Sequence, residues 1–565
     1  MPQGDLWRAE LEALACDGPR RTDAFYRSLA FGTGGLRAEI GAGSNRMNHY
    51  MVGRATQGLA NYLKKAYPGE RLKAAIAYDT RRCSREFAQH SANVLRENGF
   101  LVYLTAGPRP TPMLSFAVRQ YECHAGIVIT ASHNPKEYNG YKVYNATGGQ
   151  LTDEAAGQVL AEIEALDVFQ ETGDKTRETG ETILLDEAFD ELYYAATEAW
   201  LPRREWTKER GGALKLLYSP LHGTGLIPVT QLLARAGFSD VTVVPSQAGQ
   251  DAAGSFPTVK KPNPEEREAF APAMELARTL RPDVIFATDP DADRIGVLAQ
   301  DESGGYVVLS GNQTGALLCD YLIRAQKELG GLPPRPAIVT TIVTSTLAER
   351  ICKQNGVTAD LVLTGFKYIG ERMDQWKASG EHSFIFGFEE SYGYLAGDVC
   401  RDKDAVISAA LVAEMALWYK EEKKMTLWQA LQALYETYGP VAEELYNHEA
   451  KGAEGLAQIA GWMAELRRDA AALLPGERMV AVEDYLARER RDLRTGETTP
   501  IALPMSDVVK LFLADGSWLV LRPSGTEPKI KLYVCTAEAF APGAPLEAAK
   551  ARCEELLGKA KEIFR

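Results

Sequence analysis

Three carboxylates at every second position, Asp289, Asp291 and Asp293 in TDPDADR (288–294), could converge on one hard cation. They follow the apolar run DVIFA, so a loop leaving a strand end would carry them. Oxygen-only donors favour Mg²⁺, Mn²⁺ or Ca²⁺ over zinc. An EF-hand is excluded, because Arg294 stands where that loop needs glycine and Gln300 where it needs glutamate. Carboxylates this close repel one another unless a cation or protons intervene, which argues against a plain acidic turn. Arg294 could orient a phosphoryl oxygen or offset charge.

Ser132 leaves another apolar run, in ITASHNPKEYNGYK (129–142). A serine capping a turn would explain it, but so would a nucleophile on an exposed loop. A hydrolase elbow is absent, and neighbouring side chains diverge, so His133 is an unsuitable base for Ser132. A serine that carries phosphate wants a cation nearby, and Lys142 supplies one. In GFEESYGY (387–394), Glu389 and Ser391 could pair with sugar hydroxyls, while Lys403 in RDKDA could serve as acid/base or phosphate contact. RPSGTEPKIKLY (522–533) offers Arg522, Ser524, Gly525 and Thr526, with Lys529 and Lys531 behind them. A guanidinium fork, hydroxyls and loop amides can cradle a phosphate monoester without metal.

What must position these loops is a repeated unit of a short β-branched run, a glycine- or proline-marked loop and a helical stretch. LKAAIAYD (72–79) precedes SREFAQHSANVLRENG, and PAIVTTIVTS (336–345) precedes TLAERICKQNG. Strands alternating with helices predict an α/β fold with mixed, largely parallel sheets. The chain's 565 residues exceed one hydrophobic core. The expected division is three similar α/β domains at 1–205, 206–325 and 326–445, then a smaller α+β domain at 446–565. The polar, glycine-ended REWTKERGG (204–212) is the expected first linker.

Bulk properties bound the partners. A net charge of −13 argues against nucleic acid and anionic membrane surfaces, so cations for an anionic substrate must be concentrated in loops. The eight cysteines lack a metal-site or disulfide spacing, and the first residues lack the apolar core of a signal peptide; both fit a cytoplasmic protein. No run is long and apolar enough to span a bilayer.

A phosphorylatable serine, an acidic cation site, hydroxyl readers and a separate phosphate grip belong to one chemistry. The four loops resemble the signature loops of the α-D-phosphohexomutase superfamily, in the same order. The resemblance extends to FGTGGLR (31–37), YDTRRCSREFA (78–88), SPLHGTG (219–225) and TGFKYIGE (364–371), covering nearly the whole chain. It is nearest the branch of bacterial phosphoglucomutases and the phosphoglucomutase-2/phosphopentomutase type. The combination of TASHNP, DPDADR and RPSGTEP is highly specific.

The resemblance implies that Ser132 is a phosphoserine whose phosphate completes a Mg²⁺ shell with Asp289, Asp291 and Asp293. It further implies that Arg37 and Lys142 contact the transferring group and that His133 supports the loop. Thr364, Gly365, Glu389 and Ser391 would bind sugar hydroxyls, and Arg522, Ser524, Gly525, Thr526 and Lys531 the idle phosphate. The implied reaction interconverts glucose 1-phosphate and glucose 6-phosphate through glucose 1,6-bisphosphate, which also acts as activator. Mannose and pentose phosphates are the alternative substrates, and an aspartyl-nucleophile sugar phosphatase is a remoter one. The mannomutase-like branch carries a histidine in its sugar loop where this chain has ESYGY. Lys403 matches the lysine of the phosphoglucomutase pattern, with Ala405 replacing glycine, and is the expected acid/base. As a base it must lose its proton, which Asp402 and Asp404 would oppose if they came close.

Overall fold

The computed structural model describes residues 7–32, 35–167, 172, 179–249, 254–450, 452–470, 474–524, 529–536 and 541–564. Each β-branched run singled out above becomes a strand, and the strands assemble into four sheets. The first has the order Gly35–Glu39, Tyr138–Tyr144, Ala125–Ile129, Lys73–Tyr78, Leu101–Thr105, Thr182–Leu185. Its last four strands run parallel, and Tyr138–Tyr144 is antiparallel to both neighbours. The second runs Tyr306–Leu309, Ile295–Gln300, Val284–Thr288, Leu216–Ser219, Val241–Val243, and the third Thr358–Val362, Pro336–Thr341, Ser383–Glu389, Gly393–Ala396. In each of the first three sheets, a parallel core takes on antiparallel strands towards one edge. Those antiparallel turns carry the chemistry-bearing loops.

The fourth sheet is different. Its seven strands are antiparallel throughout, beginning with Ala442–Glu449 paired to Lys529–Thr536. That first strand crosses the expected division at 445. Helices Gly452–Arg468 and Leu546–Lys561 complete the α+β unit, and both pack against Lys529–Thr536.

Helix Ala405–Trp418 is buried along its whole length, which its uniformly apolar sequence AVISAALVAEMALW demands. It packs against Leu226–Arg235, Val284–Thr288 and Gly393–Ala396, fixing the second and third sheets together. Its one acid, Glu414, accepts from the Arg203 amide, Thr207 Oγ1 and Tyr321 Oη, so the buried carboxylate is satisfied. This corrects the linker expectation. REWTKERGG forms the helix Arg204–Arg210, held by Thr207 onto Glu414, rather than a free connection.

All eight cysteines are free thiols; the sulfurs of Cys319 and Cys352 lie 4.0 Å apart without a bond. Among the described residues, no helix is long and apolar enough to cross a membrane.

Candidate active site

Strand Ala125–Ile129 is wholly buried and delivers Thr130, Ala131 and Ser132 at its end. Ser132 adopts φ +51°, a left-handed conformation uncommon outside glycine. Its amide is satisfied by Thr130 Oγ1 at 2.8 Å. This backbone twist turns Ser132 and His133 to the same side, with Ser132 Oγ 3.2 Å from His133 Nδ1. The expectation that the two side chains diverge, which holds for extended backbone, is therefore corrected. Burial, then Arg294 and Arg37, hold the His133 pKa well below the ordinary histidine range, so the ring is neutral.

The acidic loop is a tight turn between antiparallel strands Val284–Thr288 and Ile295–Gln300, with Ala292 left-handed at φ +47°. Asp289 Oδ1 ties the turn by accepting from the amides of Asp293 (3.1 Å) and Arg294 (3.0 Å). Its Oδ2 accepts from Ser132 Oγ at 2.7 Å, across 157 positions of sequence. Asp291 Oδ2 takes Thr111 Oγ1 at 2.9 Å and Lys142 Nζ at 2.8 Å. Asp293 Oδ2 lies 3.4 Å from Lys142 Nζ and 3.3 Å from Lys403 Nζ. One oxygen from each aspartate falls within 4.8 Å of the others.

Asp291 Oδ1 and Asp293 Oδ1 are buried and have no hydrogen-bond partner, a costly state unless something binds them. Burial, followed by the charges of Asp291 and Asp293, drives the Asp289 pKa well above the usual carboxylate range. Orphaned hard oxygens and uncompensated like charge fit an Mg²⁺-type cation.

Arg37 and Lys142 come from neighbouring antiparallel strands, in which Gly35 faces Lys142. Only glycine fits at 35: a Cβ there would lie 1.8 Å from the Tyr141 carbonyl oxygen, and φ is +130°. Arg294 donates to Glu265 Oε1 at 2.6 Å. On the sugar side, Glu389 Oε1 accepts from the Gly365 amide at 2.6 Å, and buried Thr364 Oγ1 has no partner. On the phosphate side, Arg522 and Lys531 face each other across paired strands, and the Ser524 amide reaches the Lys529 carbonyl at 2.8 Å. Gly525 and Thr526 lie outside the described residues.

Lys403 sits just before helix Ala405–Trp418. Asp404 turns away from it to cap that helix, accepting from Val406 and Ile407 amides and from Tyr193 Oη. Asp402 does approach, at 3.0 Å from Lys403 Nζ. Burial alone would lower the lysine pKa, but Asp293, Asp402 and Glu389 outweigh it and hold the group above its ordinary value. In this arrangement Lys403 is an ammonium.

A single cleft of about 770 Å³ brings together Arg37, Ser132, His133, Lys142, Asp293, Arg294, Thr364, Gly365, Glu389, Ser391, Lys403, Arg522 and Lys531. That volume suits a small phosphorylated sugar. Asp289 and Asp291 do not line it but accept hydrogen bonds from Ser132 and Lys142, which do. Reading the sequence missed Glu265, Asn312 and Tyr533, which also line the cleft. It missed Thr111 as well, behind the acidic loop. The proline-flanked KPNPEE (261–266) is the one signal that could have flagged Glu265.

Four family models match in succession. They are the phosphoglucomutase/phosphomannomutase alpha/beta/alpha domains I, II and III, over 28–168, 191–304 and 310–438, and the C-terminal domain, over 463–540. A phosphoglucomutase of Staphylococcus epidermidis is 37% identical over 515 residues, 90% of each chain. One of Staphylococcus aureus is 36% identical, covering 92% of this chain and 91% of its own. The open form of the Paramecium phosphoglucomutase pp63/parafusin superposes with a TM-score of 0.68 at 18% identity, covering 95% of this chain and 96% of that one. Three α/β/α units and a C-terminal unit around one cleft are the architecture of a phosphohexomutase, an intramolecular phosphotransferase. The chain belongs to the phosphoglucomutase/phosphomannomutase family.

Proposed function

We propose that the chain interconverts glucose 1-phosphate and glucose 6-phosphate through a phosphorylated Ser132. The observation that carries this is the contact of Ser132 Oγ with Asp289, with Lys142 held beside the same acidic loop. Asp289, Asp291 and Asp293 would hold Mg²⁺, which when bound offsets charge on the transferring phosphoryl group.

In the first half-reaction the seryl P–O bond breaks as a bond from phosphorus to the free sugar hydroxyl forms. The hydroxyl proton passes to Lys403 in its amine form, which exists only while the charge of Asp293 and Asp402 is compensated. Arg37 and Lys142 stay with the phosphoryl oxygens throughout. Arg522, Ser524, Gly525, Thr526 and Lys531 grip the idle phosphate. The resulting glucose 1,6-bisphosphate turns around. Ser132 Oγ then bonds to the other phosphorus, that sugar P–O bond breaks, and Lys403 returns the proton to the sugar oxygen. Thr364, Gly365, Glu389 and Ser391 read the hydroxyls in both orientations.

A panel of glucose, mannose and pentose 1-phosphates, with Mg²⁺ and a trace of the bisphosphate, tests this reading. Glucose 1-phosphate should give the highest kcat/KM. Release of inorganic phosphate without isomerisation would overturn it.

The sugar loop has its own tether. Lys367 Nζ and Tyr368 Oη donate to Asp153 at 2.6 and 2.9 Å, joining residues 364–371 to the first sheet's side of the cleft. Half of the Asp153 side chain is exposed, so the tether is worth little to folding. Asp153→Ala is expected to raise KM for glucose 1-phosphate by roughly threefold to tenfold, with kcat nearly unchanged. Steady-state kinetics would show it, and an unchanged KM would count against the tether.

A further inference from the structure

Two motifs have no part in this chemistry. Neither 78–88 nor 219–225 contributes a described residue to the cleft wall. Their contacts nevertheless end on the two loops that must meet there.

The Arg81 side chain is wholly buried behind the serine loop. Nη2 donates to the carbonyls of Ser132 (2.5 Å) and Asn134 (2.6 Å), and Nη1 to those of Pro135 (2.8 Å) and Tyr138 (3.2 Å). Asp79 Oδ2 lies 3.2 Å from its Nε, and Asp79 Oδ1 accepts from the Arg81 amide and from Ser84 Oγ. Four inward-facing carbonyls need a planar array of donors, and among side chains only guanidinium carries so many in fixed directions. A buried ion pair is a poor source of stability compared with apolar packing. What this one fixes is conformation: it gathers the carbonyl of the left-handed Ser132 together with three that follow it in the loop.

The other motif treats the acidic loop in the same way. Thr224 donates twice to the Pro290 carbonyl, from its amide at 2.8 Å and from Oγ1 at 2.9 Å. Gly223 lies so close that a Cβ there would sit 2.4 Å from Pro290 Cα. His222 anchors this turn, with Nδ1 3.0 Å from the Gly249 carbonyl and Nε2 2.9 Å from Thr258 Oγ1. One hydrogen bond joins the two supports: Thr80 Oγ1 donates to the His222 carbonyl at 2.9 Å. The result is a closed ring of contacts from Ser132 through Arg81, Thr80, His222 and Thr224 to Pro290, shut by the bond from Ser132 Oγ to Asp289.

We propose that Arg81 and Thr224 are positioning residues for phosphoryl transfer, forming a clamp outside the cleft that holds the seryl oxygen and the acidic loop in register. The proposal rests on Ser132 being the phosphoryl carrier. Displacing either loop by a fraction of an ångström misaligns the transferring group while leaving the sugar contacts alone. Loss of the clamp should therefore fall on kcat.

The test compares Arg81→Lys, Arg81→Ala and Thr224→Val with the wild-type enzyme for kcat, KM, melting temperature and Ser132 phosphate by intact mass. Arg81→Lys is expected to lower kcat roughly 10²-fold and Thr224→Val roughly tenfold, with KM for glucose 1-phosphate within about threefold. Added guanidinium at non-denaturing concentration should restore Arg81→Ala by about tenfold and leave the wild type unaffected. If Arg81→Ala fails to fold, the other two variants decide the matter. Wild-type kcat in both, or a loss matched by the unfolded fraction or by KM, would overturn the clamp. A wild-type enzyme inactive on every sugar phosphate would instead overturn the reading of the site.

Discussion

Ser132→Ala is expected to abolish mutase turnover, lowering kcat on the order of 10⁴-fold or more, while the protein folds and still binds sugar phosphate. The substitution deletes one oxygen and little else. The amide bond to Thr130 Oγ1 remains, and so do the carbonyl contacts to Arg81. Alanine must still adopt the left-handed backbone, which costs about as much as it does for serine. The grip at Arg522 and Lys531 and the hydroxyl readers at Glu389 and Ser391 lie on other sheets and are undisturbed. Melting temperature should therefore shift by only a few degrees. Intact mass should show a phosphoryl group on the wild type after exposure to the bisphosphate, and none on the variant. Turnover near the wild-type rate in Ser132→Ala would mean that another group carries the phosphate.

How much of this was legible beforehand depended on how locally each function is encoded. TDPDADR announces itself because three donors of one kind fall within five residues at a strand end. TASHNP and RPSGTEP owe their legibility to turn residues beside reactive ones, and the alternation of strands with helices gave away the α/β layers. Arg81 and Thr224 lie in segments that the resemblance covers, but what they hold was opaque, as was Thr111, for the opposite reason. Their partners are mostly backbone carbonyls, 51 positions away for Arg81 and Ser132 and 66 for Thr224 and Pro290. Backbone acceptors have no sequence signature. The His133 expectation failed on a single dihedral, since nothing in ASHNP specifies φ +51° at Ser132. REWTKERGG misled because its polar surface is that of an exposed helix face, and the acid that recruits Thr207 is Glu414, 207 positions on.

Asp289→Asn is expected to lower kcat on the order of 10³-fold while leaving the metal-free protein at least as stable as the wild type. The two effects separate because of how charge is distributed in the triad. Lys142 pairs with Asp291 and Asp293, and Lys403 with Asp293. Among the described residues, no lysine or arginine forms an ion pair with Asp289. Burial and its two acidic neighbours raise its pKa in the folded state, so the folded protein binds the extra proton. The resulting penalty is absent below the ordinary carboxylate pKa and grows as pH rises towards the folded-state value. Asparagine removes that penalty and keeps Oδ1 for the Asp293 and Arg294 amides, so the turn survives. What it removes is a ligand. Wild-type protein should gain about 2.7 kcal/mol of stability at a hundredfold excess of Mg²⁺ over its Kd, and Asp289→Asn should gain almost none. Thermal melts with Mg²⁺ or with EDTA read this directly, independently of activity. If Asp289→Asn kept the full Mg²⁺-dependent shift, the cation would have to bind elsewhere, because the orphaned oxygens of Asp291 and Asp293 are too few to hold it alone.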